Sequence, residues 1–145
     1  MTSTLNTHID NLRAILNGKV IGAGDPRYDE VRRVFLTGFD RRPAAVVRAT
    51  DASDVARVVD LARETGAELA VRSGGHSLAG YGTSEGGIVL DLSAMNAVEI
   101  DADGRAAWAQ TLVAPGGPQA VPLRALPISV EAVQRTHSLG CGPKP

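Results

Sequence analysis

The chain has 145 residues, 43% of them hydrophobic, which suits one domain of ordinary size with a real core and excludes a disordered chain. Fifteen Lys and Arg against sixteen Asp and Glu give a net charge of -1, which supplies no electrostatic footprint for nucleic acid. Cys141 is the single cysteine, so an intrachain disulfide scaffold is excluded, and no run reaches the roughly eighteen apolar residues of a membrane span. These features lead us to expect a soluble, cytoplasmic protein that engages neither nucleic acid nor membrane.

Ile9, Leu12, Ile15 and Leu16 recur at spacings of three and four, predicting a short amphipathic helix over residues 7–17 that Gly18 closes. Val20 and Ile21 predict a brief strand, residues 22–26 a turn, and Tyr28, Val31 and Val34 a second short helix. Residues 44–49 read as a buried strand. A longer helix begins at Asp51, placed to cap the first-turn amides, and ends at Gly66, the left-handed stop. Val55, Val58, Val59 and Ala62 are its expected buried face, with the Asp54–Arg57 and Asp60–Arg63 pairs on the wet side. Residues 69–72 and 88–92 read as further strands, making a βαβ unit that joins parallel strands through the helix. Residues 98–101 and 105–110 flank an Asp-Gly turn and predict a hairpin. Phe35, Phe39 and Trp108 are expected as packing residues.

Residues 111–145 differ in character. They hold six of the eight prolines and only one of the sixteen acidic residues, Glu131. Such a Pro and Gly share predicts a disordered or loosely held tail, with at most a short helix over residues 129–137. The expected organisation is therefore an ordered segment over residues 1–110 and a tail over 111–145.

Chemistry concentrates between the last two strands of the βαβ region, where six glycines fall within residues 73–87. Glycine permits positive φ and close backbone approach, so successive amides can converge on an anion such as a pyrophosphate. Arg72 at the strand end and the Ser73 and Ser77 hydroxyls add charge and donors. His76, between Gly75 and Ser77, is exposed to whatever the loop holds, and a neutral imidazole is a competent nucleophile. A flexible surface loop is the plain alternative.

The run Arg72-Ser73-Gly74-Gly75-His76-Ser77, with Gly80-Tyr81 and Gly86-Gly87-Ile88-Val89-Leu90-Asp91-Leu92-Ser93 after it, resembles the flavin-binding segment of the vanillyl-alcohol-oxidase (p-cresol methylhydroxylase, PCMH) superfamily. Its nearest branch is the berberine-bridge-enzyme-like and hydroxynicotine-oxidase group. The resemblance runs from Arg42-Pro43 to about Gln110 and implies an α+β fold, the N-terminal part of a PCMH-type FAD-binding domain: a βαβ unit with its Gly-rich loop, plus a hairpin. It implies FAD as partner, with Arg72, Ser73, Gly74, Gly75, His76 and Ser77 at the pyrophosphate and His76 bonded covalently to the flavin 8α carbon. It further implies oxidation of a small organic substrate, with hydride passing to flavin N5 and oxygen reoxidising the flavin. The family's second Gly-rich segment and its substrate domain with the catalytic base have no counterpart here, so no catalytic residue is assigned. The pattern beyond Gln110 suggests a truncated or frame-shifted product, inactive alone.

Three other readings compete. Gly75-His76-Ser77-Leu78-Ala79 imitates the nucleophile elbow of a serine hydrolase, with Ser77 as nucleophile, but the four glycines of residues 79–87 oppose the helix such an elbow requires. A remnant that holds no cofactor is the non-enzymatic alternative. Gly22-Ala23-Gly24 starts a dinucleotide fingerprint that Pro26 and Arg27 break. His8, His76 and His137 have no ligand spacing, so no metal site is expected. Cys141, 65 residues after His76, lies in a setting unlike the family's second flavin-linking cysteine.

Overall fold

The computed structural model describes residues 2–35, 38–101 and 106–110. The tail from residue 111, with Cys141, His137 and the helix expected at 129–137, lies outside the described residues, as does the Asp-Gly turn.

The first compact unit, residues 1–95, is built on one four-stranded sheet. Its elements are α1 (Thr2–Ile15), β1 (Lys19–Gly22), α2 (Tyr28–Val31), β2 (Ala45–Arg48), α3 (Ala52–Thr65), β3 (Leu69–Arg72) and β4 (Ile88–Asp91). The strand order is β1-β2-β4-β3. β1 runs antiparallel to β2, while β2 and β3 both run parallel to β4. The expected βαβ unit is thus present as β2-α3-β3, with β4 filling the place between its two strands. All four β4 residues are buried, as an unbroken apolar run between two covered faces requires.

Side chains alternate across the sheet, and the two faces collect different partners. Ala45, Val47, Ile88 and Leu90 join Ile9 and Leu12 of α1 and Val58 and Leu61 of α3 in one cluster. Val46, Ala70 and Val89 join Ile21 and the α2 residues Tyr28 and Val31 in a second. Full burial of a side chain such as Val58 contributes roughly 1.5–3 kcal/mol. The Tyr28 hydroxyl donates 2.6 Å to the Pro43 carbonyl, satisfying its polar tip inside the second cluster.

Helix α3 starts and stops as its sequence demands. The Asp51 carboxylate accepts from the Asp54 N–H at 2.9 Å, and Gly66 closes the helix at φ 67°. Its buried face is displaced from the expected one. Leu61 is buried and Val59 is 37% exposed, because Asp54, Val58, Leu61 and Ala62 occupy the helical stripe. Asp54 also departs from its expected wet position and is fully buried. It accepts from the Asn17 and Gly18 N–H groups, both at 2.9 Å, and from the Thr50 N–H and hydroxyl at 3.1 and 3.0 Å, tying the end of α1 to the start of α3.

The second unit begins at Asn96, and its described part is the hairpin of β5 (Val98–Asp101) and β6 (Ala106–Ala109). The strands pair antiparallel, with Glu99 opposite Trp108. Trp108 is 72% exposed and Phe35 71%, so neither serves as the core residue its hydrophobicity suggests.

Candidate functional site

The glycine-rich loop joins β3 to its parallel neighbour β4. Parallel neighbours require a long return, normally a helix, and here residues 73–87 make it with turns alone. The loop leaves the sheet at the C-terminal end of β3, the edge at which open α/β sheets bind ligands, and returns to the N-terminal end of β4.

The parallel register lines up Arg48, Asp91 and Arg72 across three strands at that edge. Asp91, 2% exposed, accepts from Arg72 Nη2 at 3.2 Å and Arg48 Nη2 at 3.3 Å, and its other oxygen accepts from the Ser93 N–H at 2.9 Å. Burial pushes its carboxyl pKa up, but the Ser93 bonds and the two guanidinium charges outweigh this and hold it below the usual carboxylate range. Arg72 also donates to the carbonyls of Val31, Arg32 (3.4 Å) and Arg33 (3.2 Å). The structure thus gives Arg72 a different setting from the one its charge suggests. Its guanidinium is buried among protein acceptors, where it binds the end of α2 to the root of the loop.

Beyond Arg72 the loop opens. Ser73, Gly75 and Ser77 are half-buried, whereas Gly74 and His76 are exposed. Gly75 has φ 70°, and a Cβ built there meets nothing closer than 4.0 Å, so the glycine serves backbone conformation and leaves open space. Ser77 Oγ accepts from the Tyr81 N–H at 3.2 Å, which leaves its O–H hydrogen to donate. The His76 imidazole lies beside the Phe35 ring, with centroids 5.4 Å apart. Leu78 and Tyr81 are also exposed.

The far half of the loop is fixed by side chains whose roles no local pattern marks. Arg41 donates to the Gly80 and Thr83 carbonyls at 3.3 and 3.1 Å. The Ser84 hydroxyl donates to Glu68 at 2.8 Å, and Glu85 accepts from the Arg42 N–H at 3.0 Å. Residues 78–87 contain no helix, so the strand-turn-helix geometry of a nucleophile elbow at Ser77 is not formed. Among the described residues, no group of three or more His, Cys, Asp or Glu side chains could hold a metal ion.

A mixed sheet whose parallel strands deliver an open glycine loop at their C-terminal edge is the architecture of part of a PCMH-type FAD-binding domain. Residues 43–113 match the family model described as FAD binding domain. The chain is 42% identical over 89 residues to (R)-6-hydroxynicotine oxidase of Paenarthrobacter nicotinovorans, covering 61% of this chain and 19% of that protein. It is 39% identical over 104 residues to the FAD-linked oxidoreductase YvdP of Bacillus subtilis, covering 71% and 23%. Among solved structures, 6-hydroxy-D-nicotine oxidase from Arthrobacter nicotinovorans superposes with a TM-score of 0.62 at 41% identity, over 63% of this chain and 20% of that one. BBE-like 1 of Physcomitrella patens shares the fold at a TM-score of 0.62 and 22% identity, over 68% and 22%.

The chain therefore carries part of an FAD-binding domain of the vanillyl-alcohol-oxidase superfamily, related to the hydroxynicotine oxidases and berberine-bridge-enzyme-like proteins. It spans about a fifth of the length of the curated relatives it matches.

Proposed function

We propose that residues 1–110 supply the pyrophosphate-holding part of an FAD-linked oxidoreductase and that His76 carries the flavin covalently. The observation that supports this best is an exposed imidazole on a positive-φ glycine turn at the C-terminal edge of parallel strands. The open space at Gly75 and the exposure of Gly74 would let a pyrophosphate approach the amides of residues 74–77, with Ser73 and Ser77 as neighbouring hydroxyl donors. Arg72 contributes by anchoring the loop to α2 and β4.

Bonding His76 to the flavin joins an imidazole nitrogen to the 8α carbon. Formation of this bond would release one proton from each atom and two electrons, for which oxygen would be the acceptor. When bound, FAD supplies the redox chemistry, accepting hydride from a small organic substrate. A cytoplasmic setting accords with the single cysteine, and no described helix is long and apolar enough to cross a membrane.

The test is yellow colour that survives acid precipitation, with a flavin mass on the peptide containing His76. His76→Ala should abolish the adduct while leaving any reversible FAD binding. Protein that stays colourless with added FAD would overturn the reading, and labelling of Ser77 by a fluorophosphonate would favour a hydrolase.

A further inference from the structure

We propose that Phe35 is a positioning residue for His76, holding the imidazole in one orientation on the loop. The consequence for flavin attachment rests on the function proposed above; the contact itself does not. Burial cannot account for Phe35, which is 71% exposed and belongs to neither apolar cluster. Among the described residues, its main chain and its ring both reach the histidine turn. The Phe35 N–H donates 3.3 Å to the carbonyl of Gly75, the residue before His76. Its ring meets the imidazole at 5.4 Å and an interplanar angle of 52°, within the range of favourable tilted aromatic pairs.

The segment that carries Phe35 is itself anchored. Arg72 holds the carbonyls of Val31, Arg32 and Arg33, and Arg72 is the last residue of β3, four positions before His76. Phenyl and imidazole thus stand on two stretches of backbone tied together at two levels. An exposed histidine otherwise distributes itself among staggered rotamers. A tilted aromatic contact biases that distribution by roughly two- to tenfold, so the nitrogen that attacks is presented in a larger share of molecules.

The full chain is compared with its Phe35→Leu and Phe35→Tyr variants by NMR with labelled histidine, His76→Gln serving to assign the resonance. All variants keep the main-chain bond to Gly75, which isolates the ring, and Phe35→Leu should retain the wild-type thermal midpoint because the side chain is exposed. Wild type and Phe35→Tyr are expected to share a His76 signal displaced by the neighbouring ring current, and Phe35→Leu to lose it. Identical His76 spectra in wild type and Phe35→Leu would overturn the proposal. With FAD added, the covalent adduct should form about two- to tenfold more slowly in Phe35→Leu, with unchanged reversible affinity and recovery in Phe35→Tyr. An unchanged rate would overturn the role in attachment. Absence of adduct from wild type would instead overturn the cofactor reading, while the NMR comparison still decides the contact.

Discussion

The sheet and the glycine loop are adjacent in sequence but are held by opposite means. β2 and β4 are secured by apolar burial on both faces, and their interior residues have almost no contact with water. The loop over residues 73–87 buries little apolar side chain; Arg41 holds its Gly80 and Thr83 carbonyls, Glu68 its Ser84 hydroxyl and the Arg42 N–H its Glu85 carboxylate, with the Arg72–Asp91 pair at its root. Hydrophobic burial tolerates any side chain of suitable shape, whereas each polar pin depends on one group at one distance. This backbone is left open by its side chains, and directional pins at its margins replace a core.

Asp91 is where the two schemes meet, and its removal should have the largest effect. Asp91→Ala leaves the buried Arg72 guanidinium without its carboxylate and should cost about 3–5 kcal/mol in urea unfolding. Loss below about 1 kcal/mol would show that the row of charges does not hold the edge. The same carboxyl predicts an acid sensitivity. Asp91 and Asp54 both titrate below their ordinary value: burial pushes each up, but hydrogen bonds, and at Asp91 the arginine charges, outweigh it. Their stabilisation is complete above the unfolded carboxylate value of about 3.9 and is lost as pH falls through the lower folded values. Asp91→Asn should therefore flatten the dependence of stability on pH below about 4, which urea midpoints across that range would measure.

Glycines test the frame and the loop separately. A Cβ at Gly18 would stand 2.0 Å from the Arg48 carbonyl oxygen and one at Gly87 2.4 Å from that of Glu68. Because both obstacles are backbone, Gly18→Ala and Gly87→Ala should each destabilise by roughly 1–3 kcal/mol. Gly75 has open space around it, so Gly75→Ala meets only the strain of its positive φ, about 1–2 kcal/mol. Thermal denaturation of the three variants should rank Gly75→Ala as the mildest, and a larger loss there would mean that the loop is packed as tightly as the sheet.

The contrast also explains what the sequence disclosed. Periodicity and caps report local forces, so β3 at Leu69–Arg72, the Asp51 cap and the Gly66 stop were all legible. The glycine run disclosed an open loop, and the motif around His76 disclosed its family. The pins were not legible, because they join residues far apart in the chain: Arg72 reaches carbonyls about forty positions upstream, and Asp54 accepts from Asn17 and Gly18. Local reading placed Asp54 on the wet side beside Arg57; the pair forms at 3.5 Å, but the bonds from Asn17, Gly18 and Thr50 bury the carboxylate. Val59 was misplaced for a related reason. Apolar character alone assigned it to the buried face, whereas the sheet selects the stripe containing Leu61.

The smallest effect should come from Arg41, and it separates the two regions most cleanly. Its guanidinium spans the Gly80 and Thr83 carbonyls and stands 5.7 Å from the Phe39 ring centroid, without joining either apolar cluster. Arg41→Ala releases two part-buried hydrogen bonds, so global stability should fall by about 1–2 kcal/mol. The loop should respond more than the sheet. Amide hydrogen exchange at residues 80–84 should accelerate in the variant while Val46, Val89 and Leu90 keep their protection, because local opening then requires fewer bonds to break. If exchange accelerates equally in β2 and β4, the loop and the sheet open as one unit, and the distinction between burial and pinning does not describe how this protein is held.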